Sequence, residues 1–475
     1  EGRMGGQPLL ATLRTGELLQ AFDPVLDPGA EARGESPAGA LPTHLRVRVG
    51  AARLAFDGSV NDLLGRFGLR GRYQASGPSL AAMGSALGLT LPTTREFAIQ
   101  GRLTREGTRW FTAVQSATIG RSRLAGEFMF DTPPGTVPLL AGRLRGSVLW
   151  LEDLGPAVGV PGDDAAPASS KPGRVLPDRN FDLPSLRAMN ANVLVALDRL
   201  ESGSPRLQAV QPLGARIVLK DGVLNIQDID AKLAQGRIRG QLQLDGRAAL
   251  ARWSTQLTGA GLQIERWILQ PRVDREGKAL PPYATGRLGA RIDLAGQGRS
   301  TAELLGSANG RAVLHWTRGT LSHLVVEGAG IDIAEALGVL VRGDGALPVT
   351  CGAADLRIVK GVIRPEVMLV DTRDSTIWLD GSVSLASEQM QMVARVAPKD
   401  FSPLTLRTPL HIDGTLSDPS LSLEKGPLLR RLVPAALLAV LNPLAALLPL
   451  IDMGEDDEAR QALSSCQSVV ARRGG

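Results

Sequence analysis

A nine-residue pattern, apolar-x-apolar-x-Gly-x-apolar-x-apolar, recurs along the chain with glycine standing in the apolar phase. The fullest copy is Ile377, Leu379, Gly381, Val383 and Leu385, with Trp378, Asp380, Ser382 and Ser384 in the alternate phase. Related copies are Leu54, Phe56, Gly58, Val60; Leu124, Gly126, Phe128, Phe130; Ile238, Gly240, Leu242, Leu244; and Leu410, Ile412, Gly414, Leu416. Successive side chains of a strand point to opposite faces, so strict period-two alternation predicts strands with one apolar and one polar face. The mid-strand glycines fit a bend, a bulge or the close approach of a helix or acyl chain.

A length of 475 residues would hold two or three ordinary domains. The same strand grammar nevertheless runs from end to end, which fits an extended, repeat-like architecture better than compact globules. Aromatic residues make up only 4%, while 55 glycines and 31 prolines exceed average usage, favouring many short strands joined by turns and a mainly β chain. The formal net charge of +5 is carried by arginines spread along the strands. They are not gathered into a stripe with interleaved aromatics, which argues against a nucleic-acid partner and leaves weak attraction to anionic membrane surfaces.

Residues 24–43 and 155–180 are rich in Pro, Gly, Ala and Ser and read as exposed linkers. The expected organisation is a β module over 1–154, a linker over 155–180, a second β module over 181–425 and an apolar helical cap or membrane-proximal tail over 426–475. Ser79 opens a short helical signal with Leu80, Met83 and Leu87; Asp332 opens another with Ile333, Leu337 and Leu340. Such helices are too few to cover so much apolar sheet, and an uncovered face must meet another sheet, a partner or a lipid. Residues 432–451 carry no charge and reach membrane-spanning length, but Pro434, Pro443 and Pro449 with Asn442 break them into pieces. That favours a broken amphipathic or re-entrant cap. The first residue is Glu1 and no signal peptide or anchor is visible at the start, as expected of a processed chain or a fragment.

Signals for chemistry are sparse. The histidines are His44, His315, His323 and His411, without HExxH or other tight ligand spacing, so no metal is expected. No GxSxG, Walker A or complete GxGxxG run occurs, and no cofactor is expected. Asp131, Asp245 and Asp371 follow strand patterns, where acidic residues form turns; a carboxylate pair acting on a glycan would meet only in three dimensions. No catalytic residue is therefore assigned. Cys351 and Cys466 are either two small buried residues or one disulfide. By periodicity alone the apolar faces could bury each other in a sandwich or stay open.

Several blocks resemble, in matching order, the bacterial AsmA family. They are residues 437–452 (LLAVLNPLAALLPLID) followed by Cys466, 181–193 (FDLPSLRAMNANV), 221–247, 397–421 and 77–110, separate blocks through which the resemblance extends over nearly the whole chain. The resemblance implies a long twisted antiparallel sheet forming an open apolar groove, on a periplasmic body held at the inner membrane by an N-terminal anchor outside this chain. It implies a non-enzymatic groove that binds phospholipid acyl chains in lipid transport and outer-membrane biogenesis. The alternative is a structural protein that docks outer-membrane assembly factors and influences protein targeting. The wall would be Leu54, Phe56, Leu124, Phe128, Phe130, Ile238, Leu242, Leu244, Ile377, Leu379, Val383, Leu385, Leu410, Ile412 and Leu416. Cys351 and Cys466 would be a linked pair tying the apolar tail to the sheet.

Overall fold

The structure is a computed structural model. It describes residues 2–4, 7–16, 40–61, 68–81, 83, 94–158, 174–176, 178, 180, 181, 183–203, 207–267, 282–322, 346–399, 409–423, 464, 466 and 468. Its strands join a single 23-stranded sheet that does not close into a barrel. The first part of the chain gives β1 (Gly2–Met4), β2 (Gln7–Thr15), β3 (Leu41–Val49), β4 (Ala52–Asn61), β5 (Gly68–Gly77), β6 (Phe97–Glu106), β7 (Arg109–Ile119), β8 (Ser122–Asp131) and β9 (Leu139–Trp150). The next part gives β10 (Asn190–Leu197), β11 (Leu200–Glu201), β12 (Leu213–Lys220), β13 (Val223–Leu233), β14 (Gly236–Asp245), β15 (Ala251–Gln263), β16 (Ala284–Gly298) and β17 (Asn309–Ser322). The last are β18 (Ala346–Val359), β19 (Val362–Thr372), β20 (Ser375–Ser384), β21 (Gln389–Pro398), β22 (Leu410–Thr415) and β23 (Pro419–Leu423).

Chain order is nearly spatial order. Strands β1 to β9 pair antiparallel in succession, as do β12 to β23, and β10 pairs antiparallel with β12. The junction between the two runs is different: β10 lies parallel to β9, with Asn190 opposite Leu139 and Leu197 opposite Gly146. Two-residue loops set some of the registers. Asp221-Gly222 between β12 and β13 and Lys360-Gly361 between β18 and β19 have positive φ at both positions, the backbone of the I′ turn whose twist matches that of a hairpin. At about 4.8 Å per strand, the path across the sheet is about 100 Å.

Short helices sit at strand ends. Among the described residues they include a 3₁₀ helix at Leu151–Val158 and α-helical turns at Ser185–Ala188, Ile264–Trp267 and Thr301–Gly306. The last is capped by Ser300, whose hydroxyl accepts from the Glu303 N–H. Asp153 in the 3₁₀ helix is fully buried, and its carboxylate accepts from the N–H groups of Arg121 and Ser122 at 2.9 and 2.8 Å and from the Ser122 hydroxyl at 2.7 Å. Those bonds satisfy the tight turn between β7 and β8.

Some expectations change. Residues 41–43, placed in a linker by composition, begin β3, because Leu41 is buried at the sheet's inner face. Asp371 does not follow a strand: it lies inside β19, 1% exposed, accepting from the Thr376 hydroxyl and pairing with Lys399 at 2.7 Å. Asp131 and Asp245 do close strands, and the Arg247 guanidinium holds the Asp245 carboxyl down at about 2. Leu80, Ala81 and Met83 are helical after Ser79, and Met83 packs on Ala52, Ala75, Phe97 and Ile119. Leu87, the signal from Asp332 to Leu340, His323 and residues 432–451 lie outside the described residues.

Candidate functional site

The residues singled out by alternation are gathered by cross-strand register. Leu54 lies opposite Ala75, and the row continues through Ile99, Ala117, Leu124, Gly146, Leu197, Leu213 and Ala231 to Ile238. Three of the marked residues thus share one line across the sheet. Two same-face steps along the strands, Thr43, Gly58, Gly71, Leu103, Thr112, Phe128, Gly142, Val193, Ile217 and Ile226 form a second row. It runs on through Leu242, Thr255, Leu294, Gly310, Ile358, Ile363, Val383 and Met390 to Gly414. No charged residue occurs in it from β3 to β22. Phe130 and Leu244 share a third row with Trp110, Leu140, Ala191, Leu219, Leu224 and Trp253. The charge in that row, Arg105, stacks over Trp110 at 4.7 Å.

Phe56 belongs with Tyr73 and Val114 on the same face, Ile377 with Trp316 and Val370, and Leu379 with Ala394 and Leu410. Ile412 faces Met392. Leu385 and Leu416 fall just beyond β20 and β22, where their N–H groups bond to the carbonyls of Gly361 and Glu388. The opposite phase is of another kind. His44, Asp57, Arg72, Arg102, Ala113, Glu127 and Arg143 lie in register on the outer face.

The pattern glycines hold rings. A Cβ on Gly58 or Gly71 would stand 2.7 or 2.6 Å from the Phe56 ring, and one on Gly126 or Gly142 would meet Phe128. Each aromatic side chain lies across neighbouring glycines of its own face, replacing the missing side chains with a flat apolar surface.

Helices flank this face on both sides in the second half of the sheet. At one end of the strands, Leu304 and Leu305 of the Thr301–Gly306 turn pack with Trp253, Leu244, Leu294 and Ile358, and the Trp253 indole N–H donates to the Leu304 carbonyl at 3.0 Å. At the other end, Trp267 packs with Leu233, Leu262, Ile238 and Leu288. Between these rims lie Leu242, Leu257 and Ile292, half-buried under no described element. The geometry is a trough with an uncharged floor.

One stretch is apolar on both faces, contrary to the one-sided expectation. Cys351, Ala353, Leu369 and Trp378 point to the outer face, and there Cys351 is disulfide-bonded to Cys466, 115 residues away, with Cα atoms 6.4 Å apart. Residues 464, 466 and 468 are helical, and Cys466 is fully buried. Trp378 standing in the polar phase is the sequence signal of this second layer. The outer face nearby also holds Asp355, 2% exposed, in a two-pronged pair with Arg311.

The sequence profile of the AsmA family matches residues 128–368. "AsmA family protein YhjG" of Escherichia coli (strain K12) is 31% identical over 484 residues, covering 98% of this chain and 67% of YhjG. The chain belongs to the AsmA family. No solved structure matches it significantly. Membership in the AsmA family points to outer-membrane biogenesis or lipid transport, and its members are not known as enzymes. The AsmA family is associated with the cell envelope; among the described residues, no helix of this member is long and apolar enough to cross a membrane. Nor do those residues contain a group of three or more His, Cys, Asp or Glu side chains able to hold a metal.

Proposed function

We propose that this AsmA-family chain is a periplasmic, inner-membrane-tethered lipid-binding protein whose apolar face shields phospholipid acyl chains during transport in outer-membrane biogenesis. The observation that carries the reading is the uncharged row from Thr43 to Gly414, which stays on one face across the β9–β10 junction. The mechanism is burial without chemistry. Each methylene moved from water onto an apolar wall is stabilised by about 0.8 kcal/mol, so a partly shielded chain crosses an aqueous gap against a lower barrier. The wall is Leu54, Phe56, Leu124, Phe128, Phe130, Ile238, Leu242, Leu244, Ile377, Leu379, Val383, Leu385, Leu410, Ile412 and Leu416. Contacts repeated along a row with no charged station let a chain slide.

The test is native mass spectrometry, with lipid extraction, of the chain purified from an envelope fraction. Phospholipid should co-purify with the parent and be lost from a Leu242→Asp, Val383→Asp double variant that remains folded. A folded, lipid-free parent refutes the proposal and favours the scaffold alternative.

A further inference from the structure

On the face opposite the apolar rows, strands β2 to β7 enclose a second trough of about 760 Å³, a volume in the range of small-molecule sites. Its lining mixes polar and apolar groups and contains no acidic residue. Arg48 on β3 lies directly opposite Arg53 on β4. Both are exposed, and among the described residues neither has an ion-pair partner. Arg46, beside them, is already matched by Asp57, whose two carboxylate oxygens accept from its guanidinium at 2.9 and 3.0 Å. Like charges directly opposed on neighbouring strands destabilise a sheet, so Arg48 and Arg53 form a clamp awaiting an anion.

Beyond the clamp the floor changes chemistry. The clamp's own row runs on through Ser76, Ala98 and Thr118; in the adjacent row, two residues along the strands, Gln74, Gln100 and Ser116 lie in register across β5, β6 and β7, and their side chains have no protein partners among the described residues. Amides and hydroxyls of this kind both donate to and accept from polyol hydroxyls. From Arg53 to Ser116 is three strand spacings across the sheet and two residues along it, about 16 Å, room for a phosphate and the polyol attached to it. No aromatic side chain lines the trough, so it offers no stacking surface for a nucleobase.

We propose that this outer trough binds a phosphate carried on a sugar or polyol: Arg48 and Arg53 grip the phosphate, and Gln74, Gln100 and Ser116 take the hydroxyls. Paired guanidinium forks suit a phosphate, to which they bond bidentately. The site is independent of the acyl-chain reading, because the sheet itself lies between the two troughs. The source of the phosphate is a soluble sugar phosphate or a lipid headgroup.

Calorimetric titration of the full chain with glucose 6-phosphate, and flotation with phosphatidylglycerol vesicles, distinguishes the sources. Binding should weaken about ten-fold or more in Arg48→Gln, Arg53→Gln, the loss of one to two charge-assisted hydrogen bonds. It should hardly change in the charge-matched Arg143→Gln, Arg145→Gln on β9. Relief of the opposed charges should leave the first variant at least as heat-stable as the parent; should it fold poorly, Arg53→Gln alone carries the test. Saturable binding of glucose 6-phosphate supports a soluble source, and vesicle binding alone, lost in the clamp variant, supports a headgroup. No binding of either probe by the parent, or equal weakening in both double variants, overturns the proposal.

Discussion

Leu242→Asp and Leu369→Asp place the same new side chain on opposite faces of one sheet, and an open inner face predicts very different costs. Leu369 is 2% exposed, packed with Ala353 and Cys466 on the outer face. Its loss forfeits a fully buried leucine, about 1.5–3 kcal/mol, and the carboxyl replacing it sits away from water even when protonated, about 1–3 kcal/mol more. The sum of about 3–6 kcal/mol compares with a total stability of about 5–15 kcal/mol for a typical domain. Leu242 is only half-buried, so roughly half the leucine contribution, about 1 kcal/mol, is lost, and the carboxylate reaches water. The expected gap is therefore about 2–5 kcal/mol. Urea unfolding followed by tryptophan fluorescence reads both places, because Trp253 lies beside Leu242's row and Trp378 packs in the Leu369 cluster. Equal midpoint shifts for the two variants would refute the reasoning, since the inner face would then be as dry as the outer face under Cys466.

Cys466→Ala should lower stability by up to about 5 kcal/mol in oxidising buffer, from the entropy of a chain no longer cross-linked over 115 residues. In reductant the variant and the parent should melt together, and a shift of equal size there would count against a role for the bond. Glu388 gives a pH dependence. Its burial alone raises the carboxyl, but the N–H groups of Val175 and Leu176 and the Arg174 guanidinium outweigh that and hold it below its ordinary 4.5. A folded value below the unfolded one means stability that is present above about pH 4.5 and lost as pH falls through the folded value. Glu388→Gln should therefore melt below the parent at pH 7, at a cost of about 1–3 kcal/mol, and match it in acid. A difference that does not change with pH would rule out the linkage.

Much of the inner face was legible because period two is a local signal: the phase of Leu242 follows from Ile238, Gly240 and Leu244 alone. The alignment of Leu54 with Ile238 is not local, since it depends on every hairpin between them and on the bulges that shift β7 and β8. The role of the glycines was half-visible. Phe56-x-Gly58 and Gly126-x-Phe128 put a ring and a gap on one face, but their cross-strand partners Gly71 and Gly142 emerge only with register. The second layer over β17 to β20 was hidden because the residues beneath it, Ala353 and Leu369, look unremarkable singly. Trp378, set in the polar phase, was the warning. The hold of Glu388 on Val175 spans more than 200 residues, and no pattern near either end announces it.

The parallel step between β9 and β10 bears on how such a sheet can change in length. A meander of hairpins grows by twos, because one extra strand would reverse the direction of every strand after it. Where two neighbours already run the same way, a single strand can be slipped between them, antiparallel to both, and nothing downstream is inverted. The seam at Leu139–Trp150 thus frees the fold from parity: elsewhere its reach changes in increments of about 10 Å, and here in increments of about 5 Å.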